Sequence, residues 1–293
     1  MSLKPLIKIL KPFRLISLLT TYILGLGLVQ YVRDLNSWPF ALQGGLFLVL
    51  VTLGMEALGL MGTLTRQGSA KDSLNEKERL QQRILLAIFA ATCLTVATTL
   101  LIGWMVRGAL WQGWTVLILA TLIGAAFNYL TQVSPAFSTY KILAEVILFV
   151  IIPPALAFFI QSKEFHRLLT LTVIPFVAAY FPYPLLLALR EFGRDQKSGK
   201  KTVATEFGWE RTMVFHNALI LLAYLLFALI ALLEFPWFLI WPVFLTLPIG
   251  ILEVWLMERV RRGGKPLWRV MQFATASIYF LPMYLVAFAF WTR

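Results

Sequence analysis

Nine apolar runs dominate the 293-residue chain, each close to the roughly 20 residues that an α-helix needs to cross a bilayer. They lie at about 15–32, 39–62, 84–106, 109–129, 142–161, 168–189, 213–233, 236–257 and 270–291. Inside hydrocarbon the backbone must satisfy its own N–H and C=O groups, and long runs without strict alternation do so as helices. The chain is therefore expected to be an all-α polytopic membrane protein of nine transmembrane helices, folded as one domain over 1–293. Composition agrees. The chain is 59% hydrophobic with a mean hydropathy of +0.78, and only 14% of it is charged, against about 25% in a soluble domain. This excludes a soluble enzyme, a disordered chain and a disulfide scaffold; the single cysteine, Cys93, cannot form an internal disulfide.

The net charge of +12 is explained by its distribution, with no need of nucleic acid. With the N-terminus on the cytosolic side, 21 of the 26 Lys and Arg fall on inner segments. The outer ones are Arg33, Arg107, Lys163, Arg167 and Arg293. Cytosolic loops carry this excess, so the reading is N-in and C-out. The basic stretch 1–13 runs into a full-length span and shows no small-residue cleavage site, so it is not read as a cleaved signal. Trp38, Trp104, Trp111, Trp114, Trp237, Trp268 and Trp291 fall at predicted span ends, where indole rings favour the interface. Two inner loops are long and carry both signs of charge, 63–83 and 190–212, and they place function at the cytosolic face.

The second of these loops reads Arg190-Glu191-Phe192-Gly193-Arg194-Asp195-Gln196-Lys197-Ser198-Gly199-Lys200-Lys201-Thr202. If the sixth span continues as a helix, Glu191 and Asp195 share one face about one turn apart. Two carboxylates at a membrane surface suit a hard cation such as Mg²⁺, which shares its shell with phosphate oxygens. Arg194, Lys197, Lys200 and Lys201 are placed to meet remaining anionic oxygens. The spacing alone equally describes a solvated loop with ordinary salt pairs.

With Phe207-Gly208 following, the pattern acidic-xxx-Asp-xxx-Gly-Lys-Lys-Thr resembles the second aspartate-rich motif of the UbiA superfamily of intramembrane prenyltransferases. Its members move a polyprenyl group from its diphosphate to an aromatic or related acceptor. Glu191 stands where the family usually has Asp. Arg190 ahead of it, and the run Pro135, Tyr140, Glu145 before the fifth span, resemble the naphthoate-prenylating branch that makes menaquinone precursors; Ala144 replaces that branch's usual Gly.

The family's first motif, Asn-Asp-xx-Asp-xxx-Asp, is degenerate here. Anchored on Asp72, with Asn75 and Arg79 following, the register puts Leu64, Thr65 and Gly68 where the family has Asn, Asp and Asp. The resemblance implies metal ligation and catalysis by Asp72, Glu191 and Asp195. It implies diphosphate binding by Arg66, Lys71, Arg79, Arg190, Arg194, Lys197, Lys200 and Lys201, and a substrate pocket including Asn128, Tyr140, Lys141 and Glu145. The cofactor would be Mg²⁺, and the partners a polyprenyl diphosphate and an aromatic, quinone-precursor-like acceptor, within a bacterial or archaeal cytoplasmic membrane.

Two alternatives stay open. A UbiA-like bundle that has lost the transfer chemistry would act in lipid binding or assembly. A transporter would use the intramembrane acids Glu56 and Glu253, because such acids serve proton relays. His216 has no second His or Cys to build a metal set, and Cys93 reads as a packing residue. No Walker loop, zinc pattern or nucleophile elbow occurs. The sequence leaves oligomeric state and prenyl chain length open.

Overall fold

The structure, a computed structural model, describes residues 11–33, 37–67, 76–106, 112–162, 164, 166–233 and 236–292. These are helical almost throughout. We number the helices α1 (Pro12–Arg33), α2 (Trp38–Gln67), α3 (Glu76–Val106), α4 (Gln112–Val133), α5 (Phe137–Ser162), α6 (Arg167–Tyr180), α7 (Pro182–Lys197), α8 (Val203–Phe207), α9 (Trp209–Leu233), α10 (Trp237–Arg261) and α11 (Trp268–Trp291). Among the described residues, eight segments are long and apolar enough to span a membrane, with α6 and α7 counted as one. The fourth expected span is represented by the shorter apolar stretch Leu117–Val133 of α4. Large side chains such as Leu232, Phe273 and Leu225 remain 80%, 77% and 64% exposed. A lipid-facing surface carries such side chains without cost, because lipid tails are as apolar as they are.

The contacts divide the chain into two compact units, 1–19 with 37–163 and 20–36 with 164–293. In the first, α2 packs along α3 and α4 and also meets α5. Small residues permit the close approach. A Cβ on Gly54 would meet Leu94, and Cβ atoms on Gly59 and Gly62 would meet Gln132 and Val133 within 2.7 and 2.8 Å. These matches rise together along both chains, so α2 and α4 run parallel. Trp104, expected at the interface, is instead a core residue. It is 1% exposed, its Nε1 donates to Gln43 Oε1 at 2.8 Å, and its ring lies 5.6 Å from that of Phe47. A buried indole needs a partner for its N–H, and Gln43 supplies it.

In α5 the helix opens into a wider π-type turn over Ile147–Ile151 immediately before Pro153-Pro154. Neither proline has an N–H to give the Phe149 carbonyl. Ser17 on α1, fully buried, reaches that carbonyl with its hydroxyl at 3.4 Å. The sequence thus repairs in one helix what it removes in another.

In the second unit, α9 packs on α6, α7 and α10, while α11 packs on α10, α7 and α6. Phe176, Tyr180, Phe227 and Tyr279 form an edge-to-face cluster: Phe176–Phe227 and Tyr180–Tyr279 centroids stand 5.2 and 5.4 Å apart. Such pairs add about 0.5–1.5 kcal/mol beyond their area. Pro182 starts α7 at its first turn, where a missing N–H is harmless. The stretch 190–212, read from hydropathy as a loop, is mostly helical: α7 continues through Lys197, α8 follows, and α9 begins at Trp209. Hydropathy falls at Arg190 because the helix becomes amphipathic there, not because it ends.

Candidate functional site

The end of α7 carries Arg190, Glu191, Arg194, Asp195 and Lys197 on one continuous helix. Its termination is specified residue by residue. Gly199 adopts φ +66°, a left-handed conformation that costs glycine no Cβ clash. Its N–H donates to the Gln196 carbonyl at 3.2 Å, and the N–H of Lys200 donates to the Asp195 carbonyl at 2.9 Å. This pair of bonds is a Schellman cap. The Ser198 hydroxyl also donates to the Asp195 carbonyl, at 3.1 Å. The cap folds Lys200 back over the helix, and its Nζ stands 3.3 and 3.5 Å from the two carboxylate oxygens of Asp195.

Beyond the cap, Thr202 starts α8 through a reciprocal pair with Thr205: each accepts from the other's backbone N–H, at 3.3 and 2.7 Å. The Thr205 hydroxyl donates to the Lys200 carbonyl at 3.1 Å, tying α8 to the same turn. Gly208, at φ +86°, makes the break into α9.

The two carboxylates of this turn differ. The Asp195 side chain is 4% exposed and faces Lys200. Glu191 is 43% exposed and paired with Arg194 at 2.7 Å. Lys201 lies 3.9 Å from Glu206. An anionic guest that displaces Arg194 and Lys200 from these partners meets two basic groups and two carboxylates at one helix end. That donor set suits Mg²⁺, which binds through one or two carboxylates and completes its shell with phosphate and water. Among the described residues no three acids, histidines or cysteines come together as a metal set. Asp72, the third expected ligand, and Lys71 lie outside the described residues. Arg66 sits on the last turn of α2, and Arg79 on the first turns of α3.

In the first unit the structure brings together a cluster that sequence reading found only in part. Arg14, 8% exposed, donates from Nη1 to Glu56 Oε1 at 2.5 Å and from Nη2 to Glu145. Lys11 Nζ donates to Glu56 Oε2 at 2.5 Å, and Asn128 Nδ2 lies 3.4 Å from Glu56 Oε1. Glu56 and Glu145 are 3% and 4% exposed. Glu56 stands 11 residues, roughly 16 Å of helix, from the end of α2 at Gln67, so α2 runs well past the level of this cluster. Burial, followed by the neighbouring Arg14, lowers the Lys11 pKa from 10.5 to about 8, with Glu56 opposing the shift. Lys141 adds to the local positive field. Glu145 and Asn128 of the expected substrate pocket thus belong to one polar network, whereas Tyr140 is 53% exposed. Arg14 and Lys11 were missed because basic residues at the start of a first helix read as topology signals. The intramembrane acids Glu56 and Glu145, each needing a buried cation, were the signal that could have found them.

In the second unit Glu253 and His216, both 0% exposed, are near neighbours: His216 Nε2 lies 3.8 Å from Glu253 Oε1. Thr275 donates to the same oxygen at 2.9 Å. A layer of Met213, Leu256, Met257 and Met271 packs one turn away along the same three helices.

No family model and no curated protein matches the chain in sequence. Solved structures do match its fold. A UbiA homologue from Archaeoglobus fulgidus bound to GPP and Mg²⁺ aligns with a TM-score of 0.62 at 14% identity, over 99% of this chain and 100% of that one. A UbiA homologue from the same organism bound to Cd²⁺ gives 0.59 at 15% identity, over 97% and 98%. A structure that gives insight into the biosynthesis of digeranylgeranylglyceryl phosphate synthase in membranes gives 0.57 at 16%, over 99% and 98%. The chain is an integral, multi-pass membrane protein with the UbiA-type helical fold.

Proposed function

We propose that the protein is a prenyltransferase that moves a polyprenyl group from its diphosphate onto an aromatic, quinone-precursor-like acceptor within the membrane, with its N-terminus on the cytosolic side. The observation that carries this reading is the α7 turn. A buried Asp195 and a Glu191 one turn earlier share the helix end with Lys200 and Arg194, within a fold otherwise built of apolar helices. The naphthoate branch is the reading favoured by Arg190 and by the Pro135, Tyr140, Glu145 run.

In this reading the C1–O bond of the prenyl diphosphate breaks, and its electron pair leaves with the diphosphate. An acceptor carbon bonds to C1 and then gives up its proton. Arg194, Lys197, Lys200 and Lys201 hold the departing diphosphate, and preorganised cations stabilise the charge that grows on it. Asp195 and Glu191 would hold Mg²⁺, which when bound would supply Lewis-acid stabilisation to the same oxygens. The role that the resemblance implies for Asp72 is tested by Asp72→Asn. Apolar helix faces exclude water from the allylic carbon.

The degenerate first motif, with Leu64, Thr65 and Gly68 at positions where the family has Asn and acids, supports a second reading: a UbiA-fold protein that binds prenyl lipid without transfer. The experiment is transfer from a radiolabelled polyprenyl diphosphate to aromatic acceptors by the purified protein, with Mg²⁺ and with EDTA. Metal-dependent product supports the first reading. Prenyl diphosphate binding without product, unaffected by Asp195→Asn, supports the second.

A further inference from the structure

A half-open groove of about 520 Å³ lies where α8 meets the first turns of α9. Val203 and Phe207 of α8, and Val214, Phe215 and Ala218 of α9, form its apolar walls, while Glu210, Arg211 and Arg261 stand among its charged residues. Along α9 the lining changes from charged to apolar within two turns, the polarity profile of an amphiphile lying against a membrane protein. The apolar part does not stop at the groove. Val214 and Phe215 are half-exposed, and Leu221, Leu225 and Leu232 carry an exposed apolar strip on down α9.

The charges at the groove are not equivalent. Arg261 is held by Glu258 through two bonds of 2.7 and 2.8 Å. Among the described residues no carboxylate lies within ion-pair distance of Arg211. An exposed guanidinium at the head of an apolar groove calls for an anion with a hydrocarbon tail. Arginine's planar fork matches phosphate in particular.

We infer that this groove is a binding site for an anionic phospholipid of the surrounding bilayer, its phosphate on Arg211 and one acyl chain along Val214, Phe215 and Ala218 onto the exposed strip of α9. The site is separate from the proposed transfer chemistry and requires no turnover.

The test is retention of lipid by the purified protein from mixed micelles of phosphatidylglycerol and phosphatidylcholine, counted by native mass spectrometry. The wild type retains phosphatidylglycerol about fivefold over phosphatidylcholine, the scale of one arginine near an anionic headgroup. Arg211→Gln brings the two lipids to parity, and Ala218→Trp, which fills the groove, loses both. Lys265→Gln, which removes an exposed charge from outside the groove, changes neither. Unfolding temperatures in lipid-free detergent verify that each variant is folded. Equal retention of the two lipids by the wild type, or undiminished preference in Arg211→Gln, overturns the inference. So does displacement of phosphatidylglycerol by inorganic phosphate together with full retention in Ala218→Trp, which would reduce the site to a plain anion site.

Discussion

Lys200 is tied to Asp195 twice, by its backbone N–H to the Asp195 carbonyl at 2.9 Å and by its Nζ to the carboxylate at 3.3 Å. Both contacts depend on the left-handed residue between them. Gly199→Ala forces a Cβ into that conformation, which costs roughly 1–2 kcal/mol, and loosens the cap that aims Lys200. Its transfer activity should fall with a measurable loss of stability. Asp195→Asn leaves the cap intact, since the cap uses the Asp195 carbonyl. It should lower turnover by about 10²-fold or more, the scale for losing one group that supports transition-state charge, with little change in unfolding temperature. Side-by-side initial rates and thermal unfolding check this separation. Equal loss of stability in both variants would mean that Asp195 acts in folding alone.

This turn was legible because its determinants are local. Glu191, Asp195, Gly199 and Lys200 lie within ten residues, and helix periodicity with one glycine cap fixes their mutual placement. The spans were legible for the same reason, since hydropathy is read along the chain. The Arg14 network was not. Its members are separated by 42 and 131 residues, and nothing in the local pattern says which cation meets Glu56 or Glu145. Trp104 shows the same limit: at a span end the belt is its default place, and only the tertiary position of Gln43 makes it a core residue.

Arg14 is the shared cation of two buried carboxylates, Glu56 and Glu145. Removing one partner from a buried ion network typically costs 3–5 kcal/mol, because the remaining charges keep their desolvation penalty. Arg14→Met is therefore expected to lower stability by about that amount. Arg14→Met combined with Glu145→Gln should recover a good part of it, since the second change removes a charge whose partner is gone. Thermal unfolding in detergent of the two single variants and the double variant measures the coupling. Additive losses would show that Arg14 and Glu145 are not energetically linked.

The lowered pKa of Lys11 makes the network sensitive to alkaline pH. Its folded pKa is about 8 against an ordinary 10.5. Between these values the unfolded chain binds more protons at this site than the folded one, so the contribution of Lys11 to stability rises with pH from about 8 to 10.5 and is flat below. Over the same range its cationic bond to Glu56 is lost. Competitive acetylation read by mass spectrometry should give Lys11 half-maximal reactivity near pH 8, below the value of about 10.4 for an unperturbed lysine peptide. A Lys11 profile that coincides with that of such a peptide would remove the argument. In Lys11→Met the pH-dependent rise in stability should flatten.

Glu253 carries a different expectation. It is fully buried, it accepts from Thr275 at one oxygen, and among the described residues its other oxygen has no hydrogen-bond partner. His216 Nε2, 3.8 Å from the bonded oxygen, likewise has no hydrogen-bond partner among the described residues. Among the described residues no arginine or lysine pairs with Glu253 as Arg14 pairs with Glu56. Glu253→Gln retains the shape and, with its carbonyl oxygen at the Oε1 position, the acceptor for Thr275, and it removes the ionisable carboxyl. Its stability should equal or exceed that of the wild type. Glu253→Leu removes the carboxylate oxygen that Thr275 bonds and leaves its hydroxyl the Met271 carbonyl at 2.7 Å; a lost bond of this kind is worth about 0.5–1.5 kcal/mol, and stability should fall by that amount. A transporter using Glu253 would behave differently, because Glu253→Gln would abolish proton-coupled uptake into proteoliposomes. Lowered stability of Glu253→Gln together with loss of such uptake would establish Glu253 as a working proton site, whereas a stable variant with unchanged prenyl transfer leaves it the structural role of joining α9, α10 and α11.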